Sequence, residues 1–143
     1  MRRNLLFALA LVAACAPGGE RPAAIAYGEV NCDFCHMTLE RERHAAQIVP
    51  ATGTVKVFDE AGCLMRYVAM AEGRIGERDR LWVHDEASLE WIDARQAVFV
   101  VPAGPVPGMM YGVLAYRDRI RADAARAGAR VTDFATYLRE LRT

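Results

Sequence analysis

The chain has 143 residues, with 18 basic and 18 acidic side chains and a formal net charge of zero. Lys56 is its one lysine and no basic block exists, so nucleic-acid binding has no electrostatic support. Four cysteines and six methionines in a chain of this length make sulfur chemistry the feature to explain.

Arg2 and Arg3 precede an uninterrupted apolar run, Leu5 to Ala13. That run is too short for a mature membrane-spanning helix, which needs about 20 residues. With the small residues that follow, it reads as a secretory leader over residues 1–14. Val12-Ala13-Ala14-Cys15 resembles the bacterial lipobox, which implies that cleavage leaves Cys15 as a lipid-modified N-terminus. Two or more acyl chains would anchor it stably, and Ala16 after the cysteine points to the outer membrane. Loss of the leader removes two arginines and no acids, taking the formal charge from 0 to −2. Residues 16–26, rich in Pro, Gly and Ala, read as a flexible tether. Tyr27 to Thr143 then forms one domain of mixed α and β structure.

Within that domain, His44–Val49 and Thr54–Phe58 read as strands of a hairpin turning at Ala51-Thr52-Gly53. Asp59 stands where a helix N-cap belongs, and Leu64, Tyr67 and Val68 recur at helical spacing up to Ala71. Gly73 and Gly76 mark the helix end, and Leu81–His84 is a third strand, giving a β-β-α-β first half over about residues 27–86. The second half, residues 87–143, opens with candidate strands Leu89–Asp93 and Ala97–Val101. A Pro/Gly loop at 102–108, a strand at Gly112–Tyr116, a helix at Asp118–Gly128 and a short strand at Arg130–Thr132 follow. Thr132 or Asp133 caps a last helix through Leu141, with Phe134, Leu138 and Leu141 on one face. The halves look loosely alike.

The densest chemistry is Cys32-Asp33-Phe34-Cys35-His36-Met37: two thiols, an imidazole and a thioether within six residues. Soft thiolate and thioether donors suit Cu(I), where hard oxygens suit Mg or Ca. Cys35 and Met37, two apart, share one side of an extended segment. With Cys15 carrying lipid, three cysteines remain, so at least one is unpaired or held by something else. A Cys32–Cys35 disulfide, a thioredoxin-like redox pair, and a zinc site of Cys32, Cys35, Cys63 and His44 or His36 compete with copper. Met109 and Met110 follow the Pro/Gly loop and cannot both face a core from an extended segment. Met65 and Met70 read as packing.

Taken in order, these segments resemble the NosL family: Tyr27 to Met37, Phe58 to Cys63, Leu81 to Asp85, Glu90 to Ala94, and Met109-x-x-Gly112-x-x-Ala115-Tyr116. The resemblance implies an α+β fold of two small ββαβ-like halves, related to the organomercurial lyase fold. It implies a monomeric copper chaperone on the outer, periplasmic face, not an enzyme. Such a chaperone passes Cu(I) toward nitrous oxide reductase with the help of an ABC-type maturation complex. By the family's motifs, Cys35, Met37 and Met109 are its ligands. Met110 competes with Met109; Cys32 matches members with a C-x-x-C; His36 is a ligand or a neighbour; Cys63 is expected buried and inert. The rival readings are a periplasmic thiol–disulfide oxidoreductase using Cys32 and Cys35, a thiol lyase, and a structural lipoprotein.

Overall fold

The computed structural model describes residues 20–71, 74–125 and 127–143. The leader, Cys15, the first part of the tether and Gly73 lie outside the described residues. Among the described residues, no helix is long and apolar enough to cross a membrane.

Strand β1 (Ala46–Val49) is buried along its whole length because it is central: it pairs antiparallel with β2 (Lys56–Phe58) and with β3 (Arg80–His84). The β1–β2 turn uses Gly53 at φ +106°, a left-handed conformation that glycine adopts without a Cβ penalty. Helix α1 (Ala61–Met70) carries the chain from β2 across to β3 on the far side of β1. The next unit repeats the plan. Strand β5 (Val98–Val101) is central, β6 (Leu114–Tyr116) pairs with it, and α2 (Arg119–Ala125) crosses to β7 (Arg130–Asp133) on its other side. The sheet orders β2-β1-β3 and β6-β5-β7 thus describe two ββαβ units of the same topology.

Two elements lie outside that repeat. Strand β4 (Trp91–Asp93), read from sequence as opening the second half, pairs with β3 and completes the first sheet as β2-β1-β3-β4. Helix α3 (Phe134–Leu141) is capped by Asp133, whose carboxylate accepts the Thr136 amide at 2.9 Å. Its Tyr137 is buried, with Phe134, Leu138 and Leu141 packed beside it against the core. One apolar cluster spans both units, joining Phe58, Leu64 and Leu81 to Phe99, Val113 and Tyr137. Met65 belongs to this core, whereas Met70 is 67% exposed.

Strands β1, β2 and β4 and helix α2 are each shorter than the sequence reading, and three further differences bear on how the site is built. The α1 N-cap is Glu60, not Asp59, and its side chain makes no capping bond because it is used elsewhere. β6 starts at Leu114 rather than Gly112, since Gly112 sits at φ +65° and breaks the extended run. The tether is shorter than residues 16–26 suggested: Ala23 exchanges two hydrogen bonds with the buried Gln47 amide, at 2.9 and 3.2 Å, and Ile25 packs on the core.

Candidate metal centre

Residues 31–38 form a tight hairpin. Asn31 and Thr38 make a bridge, the Cys32 amide donates to Met37 O at 2.8 Å, and the His36 amide donates to Cys32 O at 3.0 Å. His36 closes the tip at φ 64°, an uncommon conformation for a residue with a Cβ. The hairpin docks on the free edge of β2. The Asp33 amide donates to Val57 O at 2.8 Å, and the Asp33 carboxylate accepts from the Val57 amide at 2.8 Å and Lys56 Nζ at 3.0 Å. This docking sets the tip beside the turn from β2 into α1, whose first turn carries Cys63.

The result is a cluster of three free thiols. The sulfurs of Cys32, Cys35 and Cys63 all lie within 4.8 Å of one another. Cys32 and Cys63 are 1% and 0% exposed, and Cys35 is half-buried. The Phe34 and Cys35 amides each approach Cys32 Sγ at 3.4 Å. The Cys63 thiol donates to Cys32 and, against the cost of burial, the amides of Cys35, Asp59 and Phe34 add to that effect; the Cys32 thiol is pushed down to about 5. Cys63, the donor in that bond and buried, is held well above the ordinary thiol range. Burial also raises Cys35, partly offset by the Met37 amide. The most acidic sulfur is therefore Cys32, not Cys35, the cysteine that the family's motifs give as a ligand. Cys63, read as inert packing, is a member of the cluster. The sequence groups it with Cys32 and Cys35 through the zinc alternative alone.

The Met109 segment is brought to the same end of the molecule by Glu60. Its buried carboxylate accepts the Tyr111 amide at 2.5 Å and the Gly112 amide at 2.8 Å. Burial raises the Glu60 pKa, and these amides oppose the rise. Tyr111 lies between Arg66, whose guanidinium sits 4.1 Å over its ring, and Phe34 at 6.3 Å between ring centroids. Gly62 permits this approach, because a Cβ there would stand 2.8 Å from Tyr111 Cβ. Met37, His36 and Met109 line a cavity of 350 Å³, shared with Thr38, Glu40, Arg41, His44, Asp59, Glu60 and Gly108. Met110 is half-exposed and does not line it. Thus the site has two adjoining parts: a sulfur cluster, and a thioether-lined cavity beside it.

The C-x-x-C of a thioredoxin-like enzyme opens a helix. Here Cys32 and Cys35 occupy a hairpin tip, so the context of that redox chemistry is missing. Among the described residues, the cluster is three cysteines; His36 and His44 face the cavity rather than complete a four-ligand zinc set.

A model of the NosL family matches residues 23–139. The chain belongs to the NosL family. NosL membership covers the hairpin, both ββαβ units and most of α3. The crystal structure of the copper chaperone NosL from Shewanella denitrificans superposes with a TM-score of 0.65 at 19% identity, over 80% of this chain and 93% of that one. Its fold is shared by this NosL chain. No curated protein matches the sequence.

Proposed function

We propose that this protein is a Cu(I) metallochaperone, not an enzyme, that delivers copper for maturation of the copper centres of nitrous oxide reductase. The observation that carries the reading is the convergence of three free thiols beside a cavity lined by Met37 and Met109. All of these donors are soft, and they come from three separate parts of the chain. Cys35, half-buried and next to the cavity-lining His36 and Met37, captures the ion together with the thioethers of Met37 and Met109. Neutral thioethers bind Cu(I) without adding charge, which suits entry and release by ligand exchange. Met109 rather than Met110 fills this role, in keeping with its place in the cavity.

In this reading the protein works on the periplasmic face, held by lipid on Cys15 to the outer membrane. It acts as a monomer, and its partners are nitrous oxide reductase and the ABC-type complex that matures it. Kinship with the organomercurial lyase fold is part of the same reading; a shared fold does not carry activity across. The test is a Cu(I) competition titration of the purified protein. Wild type binds one equivalent tightly, and Cys35→Ser loses at least tenfold in affinity. Equal affinity in the two refutes the assignment. In cells, loss of Cys35 leaves nitrous oxide reductase short of copper; unaltered assembly favours a structural lipoprotein instead.

A further inference from the structure

Cys35 belongs to the three-sulfur cluster and directly precedes His36 and Met37, which line the thioether cavity, and the Met37 amide donates to its sulfur. For a metal–thiolate bond of about 2.3 Å, three sulfurs around one ion stand roughly 4 Å apart. The three cysteine sulfurs already lie within 4.8 Å of one another, so closing on an ion requires shifts of a fraction of an ångström each. Cys32 and Cys63 are buried, and are placed by the hairpin tip docked on β2 and by the first turn of α1. A preformed arrangement of this kind costs little to organise when the ion arrives.

We propose that Cys32, Cys35 and Cys63 form an inner holding site for the Cu(I) ion. Cys35 is shared between that site and the outer capture position it forms with Met37 and Met109. The ion enters against Cys35 and the thioethers, then exchanges the thioethers for Cys32 and Cys63. Cys32 binds as a thiolate, Cys35 and Cys63 each give one proton to solvent as they become ligands, and copper stays in the same oxidation state throughout. Burial of the inner pair keeps the held ion away from water and adventitious ligands. The exposed Met37, at 48% exposure, is where a partner's sulfur or imidazole displaces it. The proposal rests on the copper reading above and adds the division of that site into holding and exchange positions.

The experiment uses the purified protein loaded with one equivalent of Cu(I), with sulfur neighbours counted by X-ray absorption and affinity measured against a colorimetric chelator. The double variant Met37→Leu/Met109→Leu changes two partly exposed positions and should keep the fold. It is expected to retain three sulfur neighbours and affinity within about threefold of wild type, while transferring copper several-fold more slowly to a thiol acceptor. Cys63→Ala, with its fold checked by circular dichroism, is expected to lose one sulfur neighbour and at least tenfold in affinity. A Met double variant that drops to one or two sulfur neighbours overturns the inner site. So does a folded Cys63→Ala protein that binds as wild type does. In both of those cases the copper reading survives. Failure of wild type to bind Cu(I) sinks the two together.

Discussion

At Cys32 a small amount of hydrogen bonding changes the chemistry of a whole cluster. The thiolate accepts the Cys63 thiol and backbone amides, which outweigh the cost of burying it and lower its pKa from 9.0 to about 5. At pH 7 the metal-free protein is therefore expected to carry one thiolate. Its ultraviolet absorption should vanish in Cys32→Ser and persist in Cys35→Ser; a signal lost equally in both variants would show that the charge is not localised on Cys32. The linkage has a definite sign. Between about pH 5 and pH 9.0 the unfolded chain holds a proton that the native Cys32 has released, so this group's stabilisation is lost as pH falls toward 5 and full at the upper end. The raised Cys63 works in the opposite direction above that window.

Glu60 is the second residue on which the site depends. Replacing it with alanine leaves the Tyr111 and Gly112 amides inside the protein without an acceptor. Losing hydrogen bonds to a buried charged group costs roughly 2–4 kcal/mol. Glu60→Ala is expected to lower the denaturation midpoint accordingly and to weaken copper exchange, since the same carboxylate sets the position of Met109. Unchanged stability to denaturant would mean that the carboxylate is not what holds the segment.

Among the elements, the connection between the Pro/Gly loop and β6 is the one most tightly fixed by a single residue. Gly112 has φ +65°, and a Cβ there would come within 2.7 Å of Val106 Cβ. Both the left-handed backbone and the close approach oppose any larger side chain, so Gly112→Ala should cost about 1–3 kcal/mol. A thermal melt of this variant that matches wild type would contradict the geometry. This glycine, three residues after Met109, was visible in the sequence as part of a motif, but its reason was not. The clash is with Val106, on the other arm of the loop.

The same division runs through the rest of the fold. The β1–β2 hairpin, α1 and the Asp133 cap of α3 were legible because each depends on local signals: alternation around a glycine turn, helical spacing, and a carboxylate three residues before its amide. The membership of β4 in the first sheet was not legible, because a three-residue strand carries no mark of which edge it joins. Nor was the role of Glu60. Glutamate is a poor N-cap by local rules, and only the distant 111–112 amides explain its burial. In the site, Cys32, Cys35 and Met37 stand out by donor type and spacing, and Met109 by its match to the family's motif. Cys63 joined them only through tertiary docking of the hairpin on β2, which sequence spacing cannot express.

On the scale of the whole molecule, the two ββαβ units are alike in topology and share the main core, to which the second unit adds a small cluster of its own, Val100, Tyr116 and Ala122. Phe99 of β5 and Tyr137 of α3 sit 6.0 Å apart between ring centroids and belong to the cluster that holds Phe58, Leu64 and Leu81 of the first unit. The sheets are further tied where Asp85 accepts the Arg117 amide at 2.9 Å and the Glu86 amide donates to Ala115 O at 2.9 Å. Unfolding of one unit therefore exposes the core of the other, and the protein is expected to melt as a single two-state unit. The tryptophans make this measurable, since Trp82 and Trp91 both lie in the first sheet. Tyr137→Ala removes a buried ring from α3, outside that sheet, and should cost about 3–5 kcal/mol. If the core is shared, tryptophan fluorescence from the first sheet and circular dichroism from the whole chain shift together to the same lower midpoint. If instead the fluorescence transition stays at the wild-type midpoint while part of the dichroism is lost early, the units fold independently. The copper site would then rest on the first sheet, its hairpin and α1 alone, with Met109 reaching it from a unit able to come loose.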